Sequence, residues 1–187
     1  MNTHQKINKA KDNLLMISMF SIVMLFAGLT SAYIVSKGAL DTKWDVIKLS
    51  NMFYLSTICI VSSSVFAQLA LNSSKNDNYA QISRFLLVTI FLAFLFFMFQ
   101  ILGWRSLVLN DKFLSGNNVS SSYIYVLTIT HFLHVIGGVL ALIWIYVKSK
   151  SRIYSKLNFQ GLKLGVRFWH FLGFIWLYLF LFLVIFN

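Results

Sequence analysis

The sequence predicts an all-α, polytopic membrane protein with five transmembrane helices. Of its 187 residues, 58% are hydrophobic and only 11% are charged, whereas a soluble domain carries roughly a quarter charged residues. The apolar residues lie in five stretches. Each stretch has about 20 residues, which is the length that a helix needs to cross a bilayer. Backbone amides in hydrocarbon must be paired within their own segment, so each stretch is expected to be a helix.

The five predicted helices follow one another through short polar connections. They cover residues 14–35, 52–71, 85–104, 123–147 and 168–186. The first stretch is too long for the core of a signal peptide, and no small-residue cleavage site follows it, so we expect it to be retained. The sequence contains no Pro, so sharp kinks are not expected. Residues 1–187 are therefore predicted to form a single transmembrane domain.

Small and polar residues indicate which face of each predicted helix packs against its neighbours. In chain order, these residues are Ala27, Gly28, Ser31 and Ala32; Ser63, Ala67 and Ala70; Thr128, His131, His134, Gly138 and Ala141; and Gly165, Trp169 and Gly173. The third helix, with FLLVTIFLAFLFFMF at 85–99, is Phe-rich and nearly featureless. It is expected to face lipid or a large partner surface.

The basic residues flank the apolar stretches and predict the orientation of the chain. Eleven Lys and Arg lie in the amino-terminal tail, in the second and fourth connections and at the start of the last helix, against five in the first and third connections. The positive-inside rule then places the N-terminus, Lys150 and Lys156 in the cytoplasm, and Lys112 and Asn187 outside. The net charge of +11 does not indicate nucleic acid as a partner, because these charges do not line one amphipathic face.

Acidic residues are absent from the predicted helices. The sequence has no Glu, and its five Asp lie in the tail or the connections. Intramembrane carboxylates usually mark proton and ion pathways. Their absence argues against a pump or proton-coupled carrier built from this chain alone.

Three histidines lie within the predicted helices, two of them in the stretch THFLHVIGG at 130–138. His134 is placed near the middle of the membrane, whereas His170 begins the last helix at the cytoplasmic side, so a haem shared between them is not expected. His131 and His134 have the spacing of a metal-binding pair, but no Cys, Asp or Glu is placed to complete a site. The alternative is that all three make hydrogen bonds to neighbouring helices or to lipid headgroups.

Two further groups of polar and aromatic residues are predicted at the membrane surfaces. Gln100, Trp104 and Arg105 end the third predicted helix at the outer surface, and Arg167, Trp169 and His170 begin the last one at the cytoplasmic surface. Trp is typical of the membrane interface, and Arg can extend its charge to the headgroups. Both groups fit either general anchoring in the interface or a specific lipid site.

Three segments resemble subunit III of the haem-copper respiratory oxidases. SIVMLFAGLTSAYIV at 21–35 is similar to the first helix of its five-helix bacterial members. GNNVSSSYIYVLTITHFLHVIGG at 116–138 resembles the paired-histidine pattern that enters the penultimate helix, and LKLGVRFWHFLGFIWLYLFLF at 162–182 resembles the Trp-His-Phe…Trp signature of the last helix. FQILGW at 99–104 also fits the family pattern.

The resemblance implies a non-catalytic subunit of a bacterial cytochrome c oxidase, which passes electrons from cytochrome c to oxygen and pumps protons. Such a subunit binds no haem or copper itself, because these cofactors belong to subunits I and II. It packs against subunit I, binds phospholipid and lies in the inner membrane. A second subunit III-like chain and a supercomplex with quinol:cytochrome c oxidoreductase are further partners that the resemblance leaves open.

The sequence departs from the family pattern at three positions where carboxylates are usual. Ile22 replaces a Glu of the first matched helix, Lys163 replaces a Glu before the Trp-His pair, and Gly173 replaces an Asp after Trp-His-Phe. We therefore expect that this chain does not relay or buffer protons itself. His134 is the residue that could titrate in place of a carboxylate.

Two rival functions remain open at the level of sequence. A quinol oxidase subunit III would differ only in the electron donor that subunit II accepts. A small independent transporter or assembly factor is the other rival, and the absence of an internal repeat and of broken helices argues against a transporter.

Overall fold

The computed structural model describes residues 3–40, 44–75, 78–114, 119–150 and 159–186. It confirms the prediction of five helices that are long and apolar enough to cross a membrane, and the described ranges contain no strand. The helices are α1 Thr3–Leu40, α2 Asn51–Lys75, α3 Tyr79–Leu109, α4 Val119–Lys150 and α5 Gln160–Phe186. Lys156 and Asn187, which the orientation prediction names, lie outside the described residues.

The helices are longer than the predicted apolar spans. Helix α1 contains 38 residues, or about 57 Å, against a hydrocarbon thickness of about 30 Å. An apolar stretch marks only the part of a helix that lies in hydrocarbon. The polar flank before Leu14 continues the helix because it contains Ala, Lys and Gln, which favour helix, and no Pro.

Side-chain contacts show that α1, α3 and α5 begin at one end of the bundle and α4 begins at the other. At the end where α1 begins, Gln160 of α5 contacts Asp12 of α1, and Ser83 of α3 contacts Ser149 of α4. At the opposite end, Ser36 of α1 contacts Tyr123 of α4. We call these the amino-terminal end and the far end of the bundle.

Helix α5 is the centre of the bundle. It packs against α1, α2 and α4, whereas α1 contacts only α4 and α5 and does not touch α2. Half of the apolar window of α5 is buried, but only 11% of that of α1. Helix α1 is therefore attached along one narrow face and is otherwise exposed.

The predicted packing faces are correct in three helices. Ser63, Ala67 and Ala70 of α2, Thr128, His131 and Gly138 of α4, and Trp169 and Gly173 of α5 are buried. His134, Ala141 and Gly165 are half-buried.

The prediction for α1 was wrong, because its small-residue face is exposed. Phe26, Thr30 and Tyr33 form the buried stripe instead. A Cβ added at Gly28 would meet no atom within 4 Å. Large aromatic side chains, and not close backbone approach, therefore attach α1 to the bundle.

The view of α3 as a featureless helix was also wrong. It buries a regular stripe against α2 and α4, made by Ile82, Leu86, Thr89, Ala93, Phe96, Gln100, Gly103 and Leu107. Its other face exposes Leu87, Phe91, Phe94 and Met98. Because Phe and Leu occupy both faces of α3, its pattern of apolar residues does not show which face is buried.

Candidate functional site

His131 lies in an aromatic box where four helices meet, formed with Phe26 of α1, Phe96 of α3 and Trp176 of α5. The ring centroid of His131 is 6.0 Å from Phe26, 6.3 Å from Phe96 and 5.2 Å from Trp176. The side chain is fully buried. Neither ring nitrogen has a hydrogen-bond partner within the described part of the chain. The expected hydrogen bond to a neighbouring helix is thus not seen there, and His131 packs as an aromatic ring.

His134 makes its hydrogen bond within its own helix. Its Nδ1 lies 2.7 Å from the backbone oxygen of Thr130, and a carbonyl oxygen can only accept, so Nδ1 donates. The ring also lies 5.7 Å from that of Phe26. This bond occupies Nδ1 within α4, while the ring packs against α1.

Hydrogen bonds join α2 and α5 along a seam of polar contacts. Trp169 Nε1 donates to Ser63 Oγ at 3.0 Å, and Trp176 Nε1 donates to the hydroxyl of Thr57 at 2.9 Å. Because Trp Nε1 can only donate, each hydroxyl oxygen serves as the acceptor. Both bonds lie inside an apolar bundle, where an unpaired indole N–H would be costly.

The seam continues to the amino-terminal end, where His170 Nε2 lies 3.1 Å from Gln68 Oε1. The sequence indicated Trp169 and His170 but missed Trp176 and Thr57. The signal for Trp176 was its place seven residues after Trp169, which puts both indoles on one helix face.

Gln100 and Trp104 lie inside α3, which continues to Leu109, so the prediction that they end this helix was wrong. Gln100 is buried and donates to Ser56 Oγ at 2.9 Å. Trp104 Nε1 donates to Thr128 Oγ1 at 3.0 Å. Arg105 is exposed. The first two side chains thus contact neighbouring helices, and only Arg105 points away from the bundle.

Asp12 connects α1 to α5 at the amino-terminal end. Its carboxylate accepts a hydrogen bond from Gln160 Nε2 at 2.9 Å and lies 3.4 Å from Nη1 of Arg167. Asp12 was expected in a tail outside the helices, but it lies within α1. Arg167, predicted as an anchor or lipid ligand, therefore also pairs with an acid.

A cleft of about 530 Å³ opens between α1, α4 and α5 at the amino-terminal end. Its polar rim includes Lys11 and Lys148, and the ammonium of Lys148 lies 3.6 Å from the ring centre of Trp144. The deeper walls are apolar, formed by Leu14, Leu15, Ala141, Trp144, Ile145, Leu164 and Phe168. The cleft thus combines two cations at the rim with an apolar interior.

The histidines do not assemble a metal site in the described ranges. No group of three or more His, Cys, Asp or Glu side chains lies there in a position to hold a metal ion. His131 and His134 share α4, whereas His170 lies at the amino-terminal end of α5. The fold and these contacts define a multi-pass helical membrane protein in which His131, Trp104, Trp169 and Trp176 lie between helices.

Comparison with known proteins assigns the family. A sequence model of the family described as cytochrome c oxidase subunit III matches residues 3–187. The chain belongs to this family, the subunits III of haem-copper oxidases. It is 31% identical over 142 residues to cytochrome bo(3) ubiquinol oxidase subunit 3 of Buchnera aphidicola subsp. Baizongia pistaciae, covering 74% of this chain and 71% of that protein.

Two further relatives are named after cytochrome c oxidase. The chain is 30% identical over 129 residues to cytochrome c oxidase subunit 3 of Rhipicephalus sanguineus, covering 69% of this chain but only 49% of that protein. The chain therefore matches about half the length of that relative. It is 23% identical over 162 residues to the probable cytochrome c oxidase subunit 3 of Mycobacterium leprae, covering 86% of this chain and 80% of that protein.

The three positions that depart from the family pattern have different surroundings. Ile22 is half-buried against the apolar core. A Cβ added at Gly173 would lie 3.2 Å from Ser64 Oγ, so an Asp there would require α2 or Ser64 to move. Lys163 is half-buried and lines a pocket of about 250 Å³ between α2 and α5.

Proposed function

We propose that this chain is a non-catalytic subunit III of a bacterial cytochrome c oxidase, which stabilises subunit I and holds phospholipid at the subunit boundary. Electron transfer from cytochrome c to oxygen and the haem and copper groups belong to subunits I and II of that complex. The observation that carries the proposal is the family match over residues 3–187. The contacts of the motif residues agree with it, because His131, Trp169 and Trp176 pack between helices.

The cleft between α1, α4 and α5 supports the lipid-holding role. A phospholipid has an anionic phosphate and long acyl chains, and the cleft offers Lys11 and Lys148 above apolar walls. The rim lies close to the polar ends of α1 and α4, which is the depth of the headgroups in a bilayer. Each cation near the membrane surface contributes on the order of 1 kcal/mol to the attraction of an anionic lipid.

We also propose that this chain neither relays nor buffers protons in the complex. Asp12 is tied to Gln160 and Arg167 at the amino-terminal end, and Asp45 pairs with Lys112 near the far end. Ile22, Lys163 and Gly173 provide no carboxylate at the usual positions. If the complex needs such groups, another subunit supplies them, for example a second subunit III-like chain.

The proposed location is the bacterial inner membrane, with the amino-terminal end of the bundle in the cytoplasm and the far end in the periplasm. The excess of Lys and Arg at the amino-terminal end supports this orientation. A supercomplex with a quinol:cytochrome c oxidoreductase is compatible with a subunit whose outer helix α1 is largely exposed.

Co-purification tests the proposed function. The chain is tagged, extracted in mild detergent and purified from membranes of its own cells. We expect haem absorbance and oxygen-reducing activity to elute with it in a constant ratio, together with two larger subunits. Elution of the chain alone, with no haem protein under conditions that keep the oxidase intact, contradicts the proposal.

A quinol oxidase subunit III is the second candidate function, favoured by the 31% identity to a protein named as a ubiquinol oxidase subunit. The same purified complex distinguishes the two. Oxidation of reduced cytochrome c supports the first candidate, and oxidation of a quinol without cytochrome c supports the second.

A further inference from the structure

A second basic site lies on the opposite flank of α1 from the cleft. Helices α1 and α2 both pack against α5 but do not touch each other. The outward face of α5 between them carries Lys163, Arg167 and His170, followed towards the far end by Phe174 and Leu181. These residues follow helical spacing on one stripe. We call this stripe and its two flanking helices the α5 groove.

Contacts on both sides define the walls of the α5 groove. On the α1 side, Arg167 pairs with Asp12. On the α2 side, His170 bonds to Gln68. Between these walls, Phe174 is 68% exposed and Leu181 is 55% exposed. The floor of the groove is therefore open and apolar below its basic mouth.

The mouth of the α5 groove is a pocket of about 250 Å³ without an acidic lining residue. Lys163, Arg167 and His170 of α5 line it together with Gln68 and Leu71 of α2 and Val166. Within the described ranges, Asp12 is the acid that pairs with this group, through one nitrogen of Arg167, and Lys163 has no ion pair there. The mouth thus retains positive charge and N–H donors for an anion.

His170 and Gln68 are hydrogen-bonded to each other at the α2 wall of the pocket. Gln68 Nε2 donates to Asn72 Oδ1, which directs Gln68 Oε1 towards His170. Since that oxygen can only accept, His170 Nε2 carries the proton of their bond. Lys163 and Arg167 are the lining side chains that carry a fixed positive charge for an incoming anion.

We propose that the α5 groove binds one anionic phospholipid, with its phosphate between Lys163 and Arg167 and an acyl chain along Phe174 and Leu181. The two cations precede the predicted start of the apolar span at residue 168, which places them at headgroup depth. An anionic lipid matches both the charge of the mouth and the apolar floor, whereas a partner helix would match only the floor. The inference rests on the proposed lipid-holding role and adds a site separate from the cleft.

Lipid titration of the purified complex tests this proposal. Native mass spectrometry measures the binding of phosphatidylglycerol to the delipidated complex for wild type, Lys163→Gln, Lys163→Arg and Lys9→Gln. Lys163→Gln should weaken the binding of one lipid by about fivefold, as expected for one cation near the membrane surface. Lys163→Arg should restore it. Lys9 is exposed on the same end of the bundle and lines neither the cleft nor the mouth, so Lys9→Gln should leave binding unchanged.

Three further measurements identify the ligand and distinguish the α5 groove from the cleft. Phosphatidylcholine should bind equally to wild type and Lys163→Gln, and inorganic phosphate should not displace phosphatidylglycerol. Displacement by inorganic phosphate would show that the mouth takes the free anion and would overturn the lipid assignment. Lys148→Gln should remove a different lipid, so a loss seen only in this variant supports the cleft and refutes the α5 groove.

Two other results also overturn the proposal. One is an equal loss of binding in Lys9→Gln, which would indicate unspecific attraction to the basic end. The other is a structure of the assembled complex in which a partner helix covers Lys163 and Phe174. Haem content and subunit ratio are measured in every variant and test the proposed function separately. The side chain of Lys163 makes no ion pair within the described ranges, so its substitutions should leave the complex assembled.

Discussion

At the scale of single residues, His131 shows that a histidine inside a membrane helix can act through its ring alone. It is fully buried among Phe26, Phe96 and Trp176, and both nitrogens lack a partner in the described part of the chain. A buried polar atom without a partner costs free energy, so replacing it by an apolar group of similar shape is nearly neutral or stabilising. The contribution of His131 to stability should thus come from its volume.

We predict that His131→Leu leaves the stability of the complex almost unchanged, while His131→Ala lowers it by about 2–4 kcal/mol through the cavity that it creates. The measurement is the thermal release of this subunit from the purified complex. The haem spectrum should be the same in both variants. Equal damage in His131→Leu and His131→Ala would show that the ring nitrogens make a polar contact that the structure lacks.

At the scale of helices, close approach of α4 and α5 depends on one of two adjacent glycines. A Cβ added at Gly138 would lie 2.6 Å from Leu172 Cδ1 and 3.3 Å from the indole of Trp169, whereas one added at Gly137 would meet nothing within 4 Å. Trp169 cannot withdraw easily, because its Nε1 is bonded to Ser63 of α2. A side chain at position 138 therefore disturbs both the α4–α5 contact and the α2–α5 seam.

Gly138→Val should destabilise the bundle by about 1–3 kcal/mol, the usual cost of overpacking a core. Gly137→Val is the matched control, since it adds the same side chain to the same helix on its open side. Resistance of the isolated subunit to denaturation in detergent measures the difference. If the two variants unfold alike, the approach of α4 to α5 is not limited by Gly138.

At the scale of the whole molecule, the charges at the two ends of the bundle predict its orientation in the membrane. Lys148 and Lys150 close α4 at the amino-terminal end, and Lys112 follows α3 at the far end, paired with Asp45. The excess of basic residues at the amino-terminal end predicts that it faces the cytoplasm.

Cysteine labelling measures this orientation. In a Cys59→Ala background, which removes the only native thiol, Lys112→Cys should react with a membrane-impermeant maleimide in cells with a permeabilised outer membrane. Lys150→Cys should react only after the inner membrane is opened. The reverse pattern would invert the proposed topology.

The sequence predicts the number of helices and their order, because a stretch of about 20 apolar residues in lipid has few alternatives to a helix. It does not predict where those helices end, since the polar flanks of α1 and α3 continue them beyond the hydrocarbon. It also fails at the packing face of α1, where the small residues around Gly28 are exposed and Phe26 and Tyr33 are buried.

The candidate site was predictable only in part. Trp169, His170 and Gln100 were identified, but their partners Ser63, Gln68 and Ser56 lie on another helix, more than 40 residues away in sequence. Sequence spacing within one helix cannot reveal such pairs. The surroundings of His131 were hidden for a related reason, because its aromatic neighbours Phe26, Phe96 and Trp176 lie on three other helices.

The attachment of α1 to the last two helices has a consequence for biogenesis. Asp12 finds Gln160 and Arg167 across about 150 residues of chain, and α1 has no contact with α2 or α3. At about 5–20 residues per second, a ribosome needs about 6–24 s to reach α5 after completing α1. Until α4 has been made, α1 has no other helix of this chain to pack against, so it must wait in the bilayer, or beside the insertion machinery, while α2 and α3 pair. The first helix to be made is thus among the last to be docked.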